Sequence, residues 1–172
     1  YGSAGTGTMS NLSGELFKRL AGLNDLVHIP YKGAGPGLTD LVSGHIPAMT
    51  PNITGPVLEF HRSGKIRILA VNSAERLQAA PEIPTAIESG LPGMVAQLFV
   101  GLFVAAATPK PIVDRISEAT RRVAMDPEFQ TALSQSGMEG VPGSNSEQAR
   151  RFIAEEVERW GPVVKSAGFK VE

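Results

Sequence analysis

The sequence has no cysteine, so disulfides and thiolate metal sites are excluded and the redox compartment is left open. It has no excess of charge of either sign. The 16 basic and 17 acidic residues are interspersed and sum to a net −1, which leaves no electrostatic footprint for nucleic acid or an anionic membrane. No apolar run approaches the roughly 20 residues that a membrane span requires, so direct membrane insertion is not expected. Histidine is scarce. His28, His45 and His61 show no H-x-x-x-H spacing, and structural or surface roles fit them better than a metal site. The chain also lacks an initiator methionine, and Tyr1-Gly2-Ser3 reads as the end of a strand with nothing leading into it. It reads as a fragment that begins inside a domain, so a missing signal peptide carries no information on compartment.

What is present is 172 residues with 42% apolar content, enough for one ordinary domain or for a small domain plus part of another. The most informative stretch is the first twenty residues. A run of Gly, Ser and Thr from Gly2 to Thr8 discharges into a helix whose apolar face is Met9, Leu12, Leu16 and Leu20. The first N–H groups of a helix lack intrahelical partners and carry partial positive charge, so the junction is a candidate carboxylate or phosphate site. Gly2, Gly5 and Gly7 permit close backbone approach, and Ser3, Thr6 and Thr8 add hydroxyl donors. Other readings are weaker. A tight strand-to-helix turn needs no ligand. The G-x-x-G-x-G spacing reverses the dinucleotide fingerprint, and no Gly-Lys-Ser/Thr follows for a P-loop. Tyr1 stands where a serine-hydrolase elbow needs its first Gly.

Along the chain, loop, helix and strand alternate. Gly22 stops the first helix, and residues 26–31 read as a short buried strand. Lys32-Gly-Ala-Gly-Pro36 is a second glycine loop, feeding a helix with Pro36 suited to its first position and Gly44 just past its end. Ile46 to Met49 is at best an edge or an extended link because of Pro47. Residues 50–56 turn into a helix over 56–63, and residues 65–71 read as the clearest strand. Three such rounds argue for a mainly parallel sheet whose polar loops share one edge. A short helix is expected at 85–89, a long apolar strand at 95–104, helices at 111–125 and 127–136, and a short strand at 138–141. Ser144-x-x-Glu147 reads as a capping box for a helix to about Ala167, kinked or broken at Trp160-Gly161-Pro162. Arg121-Arg122 and Arg150-Arg151 read as solvated faces.

Taken in series, Tyr1-Gly-Ser-Ala-Gly-x-Gly, Leu12-x-Gly14-Glu-Leu-Phe-Lys18, His28-Ile-Pro-Tyr-Lys-Gly33, Asp40-Leu-Val-Ser-Gly44 and Gly64-Lys-Ile-Arg-Ile-Leu-Ala-Val71 resemble the substrate-binding proteins of tripartite tricarboxylate transporters, the Bug family. Pro81-Glu-Ile-Pro-Thr85, Thr108-Pro-Lys-Pro-Ile-Val-Asp114 and Trp160-Gly161 continue the match. The resemblance implies an α/β fold of the periplasmic-binding-protein-like (type II) kind, a sheet flanked by helices, with one near-complete lobe plus part of the second. Residues 1–97 would be most of the second lobe and 98–172 the return segment of the first, whose amino-terminal remainder is missing. It implies a periplasmic location, a small carboxylate held between lobes that close like a flytrap, and delivery to membrane permease subunits, with no enzyme activity and no cofactor. Carried over residue by residue, the ligand loop is Ser3, Ala4, Gly5, Thr6, Gly7 and Thr8. Lys32, Gly33, Ala34 and Gly35 match the second loop, and Asn52 lies where the family places a polar residue that faces ligand. Asn11 stands where the family often has His. Two rival functions remain: a serine hydrolase using Ser3 with Asp40 and His61, and a ligand-sensing interaction module.

Overall fold

The computed structural model describes residues 1–168. Their order is β1 (Gly2–Ser3), α1 (Met9–Ala21), β2 (Ile29–Pro30), α2 (Ala34–Val42), α3 (Gly55–Arg62), α4 (Lys110–Ala124), α5 (Pro127–Gln135) and α6 (Ser146–Ser166). Thr8 caps α1, its side chain accepting the Asn11 N–H, and Gly22 ends it in the left-handed region at φ 68°. Asp126 caps α5 by accepting from the Glu128 and Phe129 amides, with Pro127 at the first helical position.

β1 is the centre of the sheet. It pairs in parallel with β2, Gly2 opposite Ile29 and Ser3 opposite Pro30, and makes a parallel bridge from Gly2 to Met49 on its other edge. The Ile29 and Tyr31 amides donate to Tyr1 and Ser3, while Gly2 donates to Ala48 and accepts from Thr50. Because all three segments run the same way, the loops that follow them leave from one edge, and those loops start α1, α2 and α3.

The strands are shorter than the sequence suggests. Of residues 26–31 only Ile29–Pro30 is a strand, and of 65–71 only Val71 pairs, in a parallel bridge to Thr85. Residues 95–104 and 138–141 form no strand. A β-rich run needs a second backbone to complete its ladder, and Leu69 at 77% exposed and Val100 at 81% lie against none. Residues 85–89 form hydrogen-bonded turns without reaching a helix. The other helices stand within a residue or two of expectation, α2 beginning at Ala34, ahead of Pro36. Two features of α6 differ. Its capping box is Asn145 with Gln148: Asn145 Oδ1 accepts the Gln148 amide at 2.9 Å, and Gln148 Oε1 accepts the Asn145 amide at 3.1 Å. The helix also continues through Pro162. An interior proline costs about 3 kcal/mol. Here the buried Trp160 and Val163 on either side of it hold the helix to an apolar cluster with Leu16, Ala86 and Met94.

The chain divides into two compact units. The first comprises residues 1–98 and the chain from Trp160 on, and contains that cluster and a second one of Leu58, Val71, Ala80 and Ile83. The second comprises Phe99–Arg159, three helical segments in which no residue is buried.

Candidate ligand-binding site

The loop after β1 is shaped from within. Ser3 is 0% exposed, and its Oγ accepts the Gly5 amide at 3.2 Å and lies 2.6 Å from His28 Nε2. The Ala4 amide donates to Ser10 Oγ at 3.1 Å, and the Gly5 carbonyl receives both the Thr8 hydroxyl at 2.7 Å and the Thr8 amide at 3.3 Å. Gly5 at φ 133° and Gly7 at φ 75° hold backbone conformations that suit glycine, which lets the chain turn back on itself before α1. Asn11, 1% exposed, ties the loop to the helix: its Oδ1 accepts the Gly7 amide at 3.0 Å and its Nδ2 donates to the Tyr1 hydroxyl at 2.9 Å. That hydroxyl donates in turn to Glu15 at 2.7 Å. Burial and this acidic neighbour push the Tyr1 phenol well above its ordinary range.

After this internal bonding, the Thr6, Met9 and Ser10 amides are the loop and first-turn donors left with no partner among the described residues. Thr6 and Gly7 are exposed. The first turns of α1, α2 and α3 carry no acidic residue, and neither Gly33 at the start of α2 nor Thr54 at the start of α3 makes a side-chain cap. The edge therefore presents free N–H groups and helix-dipole charge with no carboxylate of its own to fill the site.

The two other loops adjoin the first. The Gly33 amide donates to the Ala4 carbonyl at 3.0 Å, and the Thr50 hydroxyl donates to the Ser10 carbonyl at 2.6 Å. Lys32, Gly35 and Asn52 are exposed, while Gly33 and Ala34 are half-buried. Ser3 and Asn11 are thus inward supports, Thr8 is engaged as the helix cap, and Thr6 and Gly7 form the open part. The residues that sequence reasoning left out are Tyr1, Ser10, His28 and Thr50. Their partnerships depend on β1 lying between β2 and Met49, a long-range register that no local pattern carries.

The proposed Ser3–Asp40–His61 triad does not assemble. Asp40 accepts from the Tyr31 hydroxyl at 2.7 Å and faces His45 at 3.3 Å, so that hydrogen bonds hold its carboxyl below the usual range. His61 Nδ1 accepts the Ile68 amide. Ser3, fully buried, is closed to a substrate. No group of three His, Cys, Asp or Glu residues able to hold a metal is present among the described residues. An open hollow of about 430 Å³, lined by His61, Gly64, Lys65, Ile66 and Arg67, lies at the carboxyl end of α3, away from the loops.

A parallel α/β arrangement with three helix starts on one edge, two of them without a side-chain cap, is a setting in which ligands commonly bind. The sequence model described as the tripartite tricarboxylate transporter family receptor, TctC, matches residues 1–169, and the chain belongs to that family. The family is one of solute receptors and not of enzymes. Protein BugT of Bordetella pertussis is 32% identical over 166 residues, covering 96% of this chain and 50% of its own. Among solved structures, an R. palustris protein with adipate is similar at a TM-score of 0.83 and 30% identity, over 98% of this chain and 55% of that one. The periplasmic binding protein BugD is similar at 0.81 and 31%, over 99% and 57%. The chain therefore spans about half the length of these relatives. Among its described residues no helix is long and apolar enough to cross a membrane.

Proposed function

We propose that this chain is the ligand-holding part of a periplasmic solute receptor, and that it captures a small carboxylate at the loop edge for delivery to the permease subunits of a tripartite transporter. The observation that carries the reading is the set of unpartnered Thr6, Met9 and Ser10 amides at the start of α1, with no acidic residue in its first turn. Ser3, Ala4, Gly5, Gly7, Thr8 and Asn11 hold that set in place, and Thr6 adds a hydroxyl. Lys32, Gly33, Ala34 and Gly35 of the second loop and Asn52 of the third border it. Adipate in a structural relative is a ligand of the matching class. Residues 1–97 act as the second lobe and 98–172 as the return segment of the first.

One helix-terminus charge interaction contributes about 0.3 to 2 kcal/mol, whereas micromolar binding needs about 8. The rest must come from the opposing lobe, so the chain by itself binds at about 1 mM or weaker. The test is an amide-resolved NMR titration of the chain with adipate. Shifts centred on Thr6, Met9 and Ser10, and reduced in Thr6→Ala, are expected. Micromolar affinity would overturn the division of labour between lobes, and a shift pattern that leaves these three amides unmoved would overturn the site.

A further inference from the structure

We infer that His28 is a positioning residue for the ligand loop: through Ser3 it sets the hydrogen bonding of Gly5 and Thr8, and it couples carboxylate affinity to the protonation of a single imidazole. The inference rests on the carboxylate reading of the loop. It begins from the complete burial of Ser3, which leaves the hydroxyl no water to turn to. Its partners are His28 Nε2 at 2.6 Å, the Gly5 amide at 3.2 Å and the Gly5 carbonyl at 3.3 Å. When the neutral ring carries its proton on Nδ1, Nε2 accepts the Ser3 hydroxyl proton and Ser3 Oγ is free to accept from the Gly5 amide. When the ring takes a proton from solvent, Nε2–H becomes a donor to Ser3 Oγ and the hydroxyl proton must turn to the Gly5 carbonyl. That carbonyl already receives the Thr8 hydroxyl and amide, and Thr8 is the cap of the helix that holds the anion. Protonation of His28 therefore reaches the helix start in two steps, and it adds a positive charge beneath the loop.

The ring is held for this task. The Tyr1 ring stacks on it at 5.0 Å between centroids and 28° between planes. Glu15 and Lys18 of α1 are the charged side chains that bear on it. Burial lowers its pKa below the ordinary value; Glu15 opposes that, while Lys18 adds to it. The ligand-free ring is thus neutral near pH 7, an anion at the loop raises its pKa, and affinity strengthens as pH falls through the ligand-bound pKa until it levels off below the ligand-free one.

The experiment follows the His28 ring nitrogens and the Gly5 and Thr8 amides by NMR as pH is lowered, without ligand, in the wild-type chain and in His28→Gln, whose amide can donate but does not titrate. Both amides are expected to move with the midpoint of the ring in the wild type and to stay still in the variant. Adipate affinity is expected to strengthen about fivefold or more across the same transition and to be flat in His28→Gln. A neutral ring protonated on Nε2, or amides that ignore the titration of the ring, would overturn the inference. Amides that follow the ring while adipate leaves the loop unmoved at every pH would instead sink the carboxylate reading and leave control of Ser3 by His28 intact.

Discussion

At Gly14 an added Cβ would lie 2.1 Å from the Tyr1 ring, so this glycine exists to let the ring lie against α1. Gly14→Ala must displace an aromatic ring that is itself fixed by Asn11, Glu15 and His28, and overpacking of this kind costs about 1 to 3 kcal/mol. A urea midpoint lowered to match is expected. Asn11→Ala is different in cause and similar in size. It leaves the buried Tyr1 hydroxyl without its donor, a loss of about 1 to 3 kcal/mol, and turns the exposed Gly7 amide to water. Thr6→Ala, on the exposed part of the same loop, should leave the urea midpoint within about 0.5 kcal/mol of wild type while weakening adipate shifts. Equal destabilisation by Thr6→Ala and Asn11→Ala would mean that the loop is a single structural unit with no open part. His28 adds a pH term. Its folded pKa lies below the unfolded value of 6.5, so the stability it contributes is full above that pH and is lost as pH falls toward the folded value.

Among the elements, α6 offers the sharpest test of local sequence logic. Ser144 and Glu147 fit a capping box on paper, but the reciprocal bonds belong to Asn145 and Gln148 one position on. Asn145 Oδ1 also accepts the Glu147 amide at 3.1 Å. Asn145→Ala should therefore cost about 1 kcal/mol of helix stability, read by far-UV circular dichroism through thermal unfolding, and Ser144→Ala almost nothing. The reverse order would restore the box that the sequence suggests. The one-residue slip is typical of what was legible. Helices could be read because their signals are local: Thr8, Gly22, Asp126 and Pro127 act where they stand. The placement of the three loops on one edge followed from the alternation of elements. Strand extent could not be read, since residues 65–70 and 98–104 have the composition of strands but no backbone beside them. Ser3 and Asn11 read as ligand-binding residues in the sequence, whereas both are buried and bonded to His28 and Tyr1, which reach them only through the register of β1 with β2.

For the whole molecule, the decisive contrast is between the two units. Residues 1–98 with the chain from Trp160 on bury apolar side chains in two clusters, Met94 at 2% exposed and Ala80 at 0% among them. Residues Phe99–Arg159 bury none, although α4 and α6 carry apolar stripes that include Ile112 at 50% and Val157 at 69% exposed. Hydrophobic burial is the main force opposing chain entropy, so the helices of the second unit draw little support from it. Hydrogen exchange should show this directly. Amides within α1 should exchange only through cooperative opening of the first unit, whereas those of α4 and α5 should exchange orders of magnitude faster, through local opening. The exposed run Val100, Leu102 and Phe103, at 81%, 68% and 65%, adds a second consequence, because contiguous apolar surface of this kind drives association. The apparent molar mass from light scattering should therefore rise with protein concentration, and Val100→Glu with Phe103→Glu should suppress that rise while leaving the exchange of α1 as it was. Scattering unchanged by the double variant would place the adhesive surface elsewhere, on the stripes of α4 and α6. Protection of α4 equal to that of α1 would show instead that self-association supplies the burial which the single chain lacks.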